Sequence, residues 1–366
     1  MLAVIGYALL KFVLIAFGWV MLVASVLTVI ERKQSAAVQN RIGPNRALIM
    51  GWRFPLSAFV GQILADAIKV FVKEDFEPPT GNKFLHQIAP GLALMPALLM
   101  WLVIPFGPGP KPGYEGTNWF QIANLNAGVL FIFAMAGIGV YGNTLGAWAS
   151  NSGYALLGGL RTAAQMISYE VSLGLNLVPV FMIFGSLALN DVVWGQDQLL
   201  WGWLPKWGIF LNPLAFILFL AASIAETKRA PFDLPEAESE LVAGYHTEYS
   251  GMRFATFSLG EFIAIIVTAA VVTSLFLGGW SIPWAPTPVY PDGAANAGNP
   301  ILGWFTVAQV AAFLVKMIFV IWIQMQVRWT LPRFRYDQVM RLGWVYILPL
   351  SLANVIVTAI VLYLIR

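Results

Sequence analysis

Residues 254–278 read FATFSLGEFIAIIVTAAVVTSLFLG, twenty-five residues carrying one charge, Glu261. A helix needs about 20 consecutive apolar residues to cross a bilayer core, so this run reads as a membrane span. The rest of the chain agrees. It has 366 residues, is 59% hydrophobic with a mean hydropathy of +0.74, and contains 15 Trp and 25 Phe. That much apolar surface exceeds what one water-soluble globule buries. Eight runs are read as spans, at 2–30, 87–106, 124–149, 155–189, 208–226, 254–278, 301–327 and 342–365. The fold class is therefore an all-α integral membrane protein of about eight transmembrane helices, forming one membrane domain over 1–366. The first run is longer than a signal-peptide core and lacks a small-residue cleavage pattern, so it counts as a span. The fourth is long for one crossing and is expected to tilt or bend near Pro179.

Composition excludes several functions. Cysteine is absent, which rules out disulfides, thiolate-held iron–sulfur clusters and covalently attached haem within this chain. His86 and His246 are the only histidines, and neither lies in the middle of an apolar run, which argues against a pair of helix histidines ligating a buried haem. A net charge of +3 gives no footprint for nucleic acid. The bases instead report topology: sixteen of the 21 fall on the side reached after the first span. By the positive-inside rule that side is cytoplasmic and both termini lie outside.

Between the first two spans, residues 31–86 are too polar to cross. Within them FPLSAFVGQILADAIKVFVKED, at 54–75, spaces Phe59, Ile63, Leu64, Ala67 and Phe71 as one face of a helix, with Gln62, Asp66, Lys69 and Lys73 elsewhere. Such a helix is expected in the membrane interface, as a surface anchor or as one wall of an opening for a lipid-soluble molecule. The segments 107–123 and 279–300, rich in Gly, Pro and Trp, read as interfacial loops on the opposite side.

Among the charges within the apolar runs, Glu170, Glu226 at the end of the fifth, Glu261 and Lys316 are the costly ones to place in hydrocarbon. An ionised group at mid-membrane costs about 2.5–3.5 kcal/mol, so such residues pair, face water or carry protons. For Lys316 an inward partner for a carboxylate competes with a packing role. The connection after the fifth run, ETKRAPFDLPEAESELVAGYHTEY at 226–249, holds six of the 18 acids: Glu226, Asp233, Glu236, Glu238, Glu240 and Glu248. Two prolines in APFDLP forbid a continuous helix. Pro235 is expected to open a short new helix ending at Gly244, with Glu236 and Glu240 on one face. Favourable placement at a helix N-terminus accounts for one or two of these acids and not for six. The loop, 227–253 with its flanks, is either a docking surface for a basic partner or a set of carboxylates that titrate with a bound ligand.

The segments ERKQSAAVQNRIGPNRA (31–47), LADAIKVFVKED (64–75), LRTAAQMISYEV (160–171) and AETKRAPFDLPEAESELVAGYHTEY (225–249) resemble one family. It is the quinone-chamber membrane subunit of respiratory complex I, found in bacterial NADH-quinone oxidoreductase and, as subunit 1, in the mitochondrial NADH dehydrogenase. The resemblance extends over essentially the whole chain, including LGGW after the sixth span. One departure is the stretch ALIMGWRFPLSAFVGQI at 47–63, where family members carry a shorter GPxGLLQP-like segment. The resemblance implies a subunit of proton-translocating NADH:quinone oxidoreductase in the bacterial cell (inner) membrane. No cofactor is bound by this chain; quinone is the substrate, and FMN and iron–sulfur clusters belong to partner subunits. Implied partners are peripheral iron–sulfur and quinone-site subunits, antiporter-like membrane subunits and lipids. By motif, Arg32, Arg41, Asp66, Phe232 and Asp233 would border the quinone entrance or chamber. Glu236, Glu238, Glu240 and Glu248, in the acidic loop beside it, would begin a proton relay that Glu170, Glu226 and Glu261 continue into the membrane. The homologous subunit of a membrane-bound hydrogenase and a stand-alone proton or cation transporter remain the competing readings.

Overall fold

The computed structural model describes residues 2–47, 55–112, 118–236, 238–285, 287 and 303–365. Residues 48–54 of the departure at 47–63, most of 286–302 and the side chain of Glu238 fall outside the described residues. Among the described residues the architecture is helical apart from one two-residue hairpin pairing Leu199–Leu200 with Leu204–Pro205 and an isolated bridge between Ile282 and Ala285. Helix α1 comprises Leu2–Val13, a π-helical stretch Leu14–Val20 and Met21–Val38. It is followed by α2 (Pro55–Val72), α3 (Lys83–Leu99), α4 (Gly128–Ala149), α5 (Gly153–Phe184) and α6 (Pro213–Glu226). The last three are α7 (Gly251–Phe276), α8 (Trp304–Thr330) and α9 (Tyr336–Ile365, with a π-helical turn at Leu342–Ile347).

Among the described residues, seven helices are long and apolar enough to cross a membrane. The chain is a multi-pass membrane protein, as its sequence implied. The expected fifth span is the exception: α6 has 14 residues and reaches about 21 Å, short of a core about 30 Å thick. A helical turn at Gly208–Leu211 leads into it. Asn212 sets the break between them. Its side chain accepts from the Ala215 amide at 3.0 Å, ahead of Pro213 at the first helical position, and donates to Thr358 of α9 at 3.0 Å.

The first span is longer than its apolar run, because the helix continues past residue 30 to Val38 and carries Glu31 with it. The fourth remains one continuous helix through Pro179 and stops at Gly185, whose φ of +70° suits a helix terminus. Its neighbours pack on small residues. A Cβ at Gly142 of α4 would collide with the Ala93 nitrogen of α3, so the two backbones meet directly. Helix α7 forms the axis of the bundle: 72% of its apolar window is enclosed by protein, against 22% for α9.

The interfacial reading of 54–75 corresponds to α2, tied back to α1 by an ion pair of Arg32 with Asp66 at 2.7 Å. The loop after α6 departs from expectation. No helix runs from Pro235 to Gly244; Glu236 lies in a turn, and helical turns form at Glu238–Leu241 and Gly244–His246. The cause is a fold-back. Gly244, at φ +61°, approaches Pro235 so closely that a Cβ there would overlap the Pro235 carbonyl oxygen. Glu236 and Glu240 therefore do not share a helix face.

Candidate functional site

The loop between α6 and α7 lies where one end of the bundle converges, and a glutamine side chain ties it there. Gln165 projects from α5 and donates to two carbonyls, Ala225 at 2.7 Å and Phe232 at 2.9 Å. The first belongs to the last turn of α6 and the second to the loop, so one side chain sets the exit angle of the chain. Phe232 is buried between Tyr169 and Phe334, with ring centroids 5.9 and 5.5 Å away.

Two cations follow the end of α6, and each turns inward. Lys228 adopts φ +55°, unusual for a residue with a side chain. Its ammonium stands 3.3 Å from Glu261 of α7 and donates to the Tyr245 hydroxyl at 3.1 Å, while Tyr245 donates to Glu261 at 2.8 Å. All three side chains are buried or nearly so. Burial, reinforced by the Glu261 charge, pushes the Tyr245 hydroxyl well above its ordinary range, so it stays a donor. Arg229 reaches α1 instead. Its Nη1 donates to both carboxylate oxygens of Glu31, at 3.0 and 2.8 Å, and Arg328 of α8 pairs with the same carboxylate. The Arg229 guanidinium also lies 4.2 Å from the centre of the Phe262 ring. Burial opposes its charge, yet Glu31 and Glu261 outweigh that and hold its pKa above the usual value.

The loop acids divide between interior and surface. Asp233 is buried and paired with Arg333 at 2.8 Å. Burial raises its pKa to about 6 despite the opposing Arg333 charge. Glu236 is raised well above the carboxylate range, by burial first and then by the charges of Glu261 and Asp233. Glu240 instead points outward to an exposed pair with Arg161 at 2.7 Å. Glu248 is half-buried and forms no ion pair among the described residues. Inside the bundle, the carboxylate of Glu170 lies against Gly137 of α4, and its charge is within electrostatic reach of Glu226. Lys316 has no carboxylate partner within ion-pair distance among the described residues. It donates to the carbonyls of Leu277, Gly279 and Ser281 at 2.7, 3.0 and 2.6 Å, neutralising the C-terminal end of α7. These contacts lie at the end of the bundle away from the acidic loop.

Three cavities adjoin at this end. A mouth of about 510 Å³ is lined by Glu31, Arg32, Ser35, Arg41 and Trp329. An internal, largely apolar cavity of about 100 Å³ between α3, α4, α5, α6 and α7 is lined at one end by Glu226, Thr227, Lys228 and Glu261. Between them a constriction of about 10 Å³ is walled by Glu31, Thr227, Arg229, Gln324 and Arg328. Glu31 therefore belongs to the mouth and the constriction, and Thr227 to the constriction and the interior. The constriction has room for about one water. Arg229 Nε and Gln324 Oε1 are both buried there without a partner among the described residues, supplying a donor and an acceptor for it.

Of the residues singled out in the sequence, Arg32 and Arg41 line the mouth, with Asp66 held by Arg32 and by Gln62 at 3.0 Å. Glu226 and Glu261 line the interior. Sequence reasoning missed Glu31, Gln165, Thr227, Arg328, Arg333 and the partnership of Lys228 with Tyr245. Glu31 carried a usable signal, a carboxylate at the end of an apolar run. Its arginines were not legible, since they arrive from distant helices.

The NADH dehydrogenase family model matches residues 10–359. A subunit of the NADH-quinone oxidoreductase of Geobacter metallireducens is 47% identical over 360 residues, covering 98% of each chain. One from the NADH-quinone oxidoreductase of Geobacter sulfurreducens is 46% identical over 94% of each, and subunit 8 of the Rhodothermus marinus enzyme of that name is 42% identical over 96% of each. With a family match along nearly its whole length, this chain belongs to the NADH dehydrogenase family.

Proposed function

We propose that this chain is the membrane subunit of a proton-translocating NADH:quinone oxidoreductase that closes the inner end of the quinone chamber and passes the protonic consequence of quinone reduction into the membrane. The observation that carries the reading is the row of cavities sharing walls at Glu31 and Thr227. Quinone enters past α1 and α2 into the mouth bordered by Arg32, Arg41 and Asp66. Its reduction consumes two protons and briefly adds negative charge. Asp233 and Glu236, whose proton affinities burial has raised, respond to that charge first. Through the one-water constriction Glu31 exchanges with the interior, and Glu261, Glu226 and Glu170 extend the path between the helices. Glu238, Glu240 and Glu248 belong to the same relay, Glu240 from an exposed pair with Arg161 on the outer face of the loop. The partners are the peripheral subunits that hold the electron carriers and the antiporter-like membrane subunits. The end bearing the acidic loop faces the cytoplasm, where the excess of Lys and Arg lies, and both termini face outward if α6 crosses with its leading turn.

The test is activity with copurification. The chain isolated in mild detergent is expected with NADH-dehydrogenase subunits, and Glu236→Gln should lower quinone-dependent turnover while assembly persists. Recovery with hydrogenase subunits, or proton transport by the isolated chain, would overturn the assignment.

A further inference from the structure

At the end of the bundle away from the acidic loop lies an apolar cavity of about 220 Å³, lined by Ile15, Trp19, Trp101, Phe106, Val310 and Leu314. Two of these residues, Ile15 and Trp19, belong to the π-helical stretch of α1, whose wide turn keeps residues four apart nearly in line. Four residues before Ile15 on the same helix stands Lys11, about 6 Å further along the axis. Its ammonium lies 4.6 Å from the centre of the Tyr7 ring and 5.6 Å from that of Trp119, and donates to the Asn118 carbonyl at 3.0 Å. An ammonium carries three N–H donors, so this one bond leaves donors for another acceptor. The same loop connects the lysine to the cavity, because Phe120 packs edge-on against the lining residue Phe106, centroids 5.7 Å apart. Two indoles, those of Trp19 and Trp101, line the cavity, and the N–H of Trp101, 1% exposed, has no acceptor among the described residues.

We infer that this is a binding site for one anionic phospholipid. Its phosphate pairs with Lys11, in the ring of aromatic side chains typical of a membrane–water interface. An ester oxygen further down accepts from the Trp101 indole, and an acyl chain occupies the cavity. Lys11 and the lining residues Ile15 and Trp19 follow one another along α1 as a headgroup and an acyl chain do along a lipid. The site uses no residue of the acidic cluster, so it stands or falls independently of the proposed quinone function.

The experiment uses the assembled complex carried through repeated washing in mild detergent, with retained phospholipid identified and counted by mass spectrometry. The intact complex should keep one more anionic phospholipid than complexes bearing Lys11→Gln or Leu314→Trp, the latter filling the cavity. In vesicles of phosphatidylglycerol with a photoreactive acyl chain, label should reach peptides containing Trp101 and Leu314, about fivefold less in Lys11→Gln. Equal retention in both variants would overturn the site. Equal labelling from phosphatidylcholine would overturn the headgroup assignment, and a photoreactive residue at Val310 that captures another subunit in place of lipid would assign the cavity to a protein partner.

Discussion

Glu31 and Arg229 lie 198 residues apart in the chain and meet through one guanidinium nitrogen at 2.8 and 3.0 Å from the two carboxylate oxygens. Arg328 completes the set, so a single carboxylate joins α1, the end of α6 and α8. Removing one member of a buried pair leaves its partner's charge uncompensated, typically costing about 3–5 kcal/mol. Arg229→Leu retains Arg328 and should fall at the lower end, whereas Glu31→Leu leaves the buried Arg229 and the half-buried Arg328 without their shared carboxylate and should cost more. Thermal midpoints of the assembled complex check the order, and an Arg229→Leu midpoint below that of Glu31→Leu would reverse this account.

Gln165 holds two carbonyls at once, and each neutral bond contributes about 1 kcal/mol. In Gln165→Leu the segment 230–236 should lose its anchor to α5. Amide hydrogen exchange there should accelerate, while exchange in α7 stays slow. Unchanged exchange at 230–236 would mean that Phe232 packing alone fixes the loop.

Asp233 releases its proton near pH 6 in the folded chain, against about 3.9 when unfolded. Between those values the folded state binds the extra proton, so stability falls as pH rises from about 4 to about 6. Two units correspond to about 2–3 kcal/mol, and Glu236 acts with the same sign. Asp233→Asn should therefore flatten, without abolishing, the decline of the thermal midpoint across that window. A curve as steep as that of the native chain would show that Asp233 keeps an ordinary proton affinity.

Glu240 and Arg161 form an exposed pair, and such pairs contribute about 0.2–1 kcal/mol. Glu240→Gln should leave assembly and thermal stability nearly unchanged. Loss of quinone-dependent turnover in that variant then reports function directly; full turnover and full proton pumping would remove Glu240 from the proposed relay.

Lys316 supplies the opposite contrast. Lys316→Met strips a donor from three carbonyls at the end of α7, and hydrogen bonds to charged groups contribute about 1.5–3 kcal/mol each. The variant should unfold several degrees earlier with turnover per assembled complex unchanged. A turnover defect in stable, assembled protein would restore Lys316 to the functional set.

The sequence disclosed the helices because their apolar runs are long, and it disclosed most of the site's acids because charge is costly in those runs. It misjudged the fold-back at Gly244, where a turn depends on a carbonyl nine residues earlier. It also missed what Glu31 does. A carboxylate announces itself in an apolar stretch, but whether it pairs, and with which cation, is decided where helices from both ends of the chain cross. Lys316 makes the same point from the other sign: its three carbonyl acceptors are backbone atoms and leave no mark in the amino-acid code.

Glu31 and Thr227 are party walls, each belonging to two adjoining rooms. A guest that pushes Arg229 or Glu31 aside on one side redraws the space on the other, and the influence runs equally in both directions. Protonation deep between the helices would thus alter how tightly the mouth grips its occupant, as surely as the occupant alters protonation.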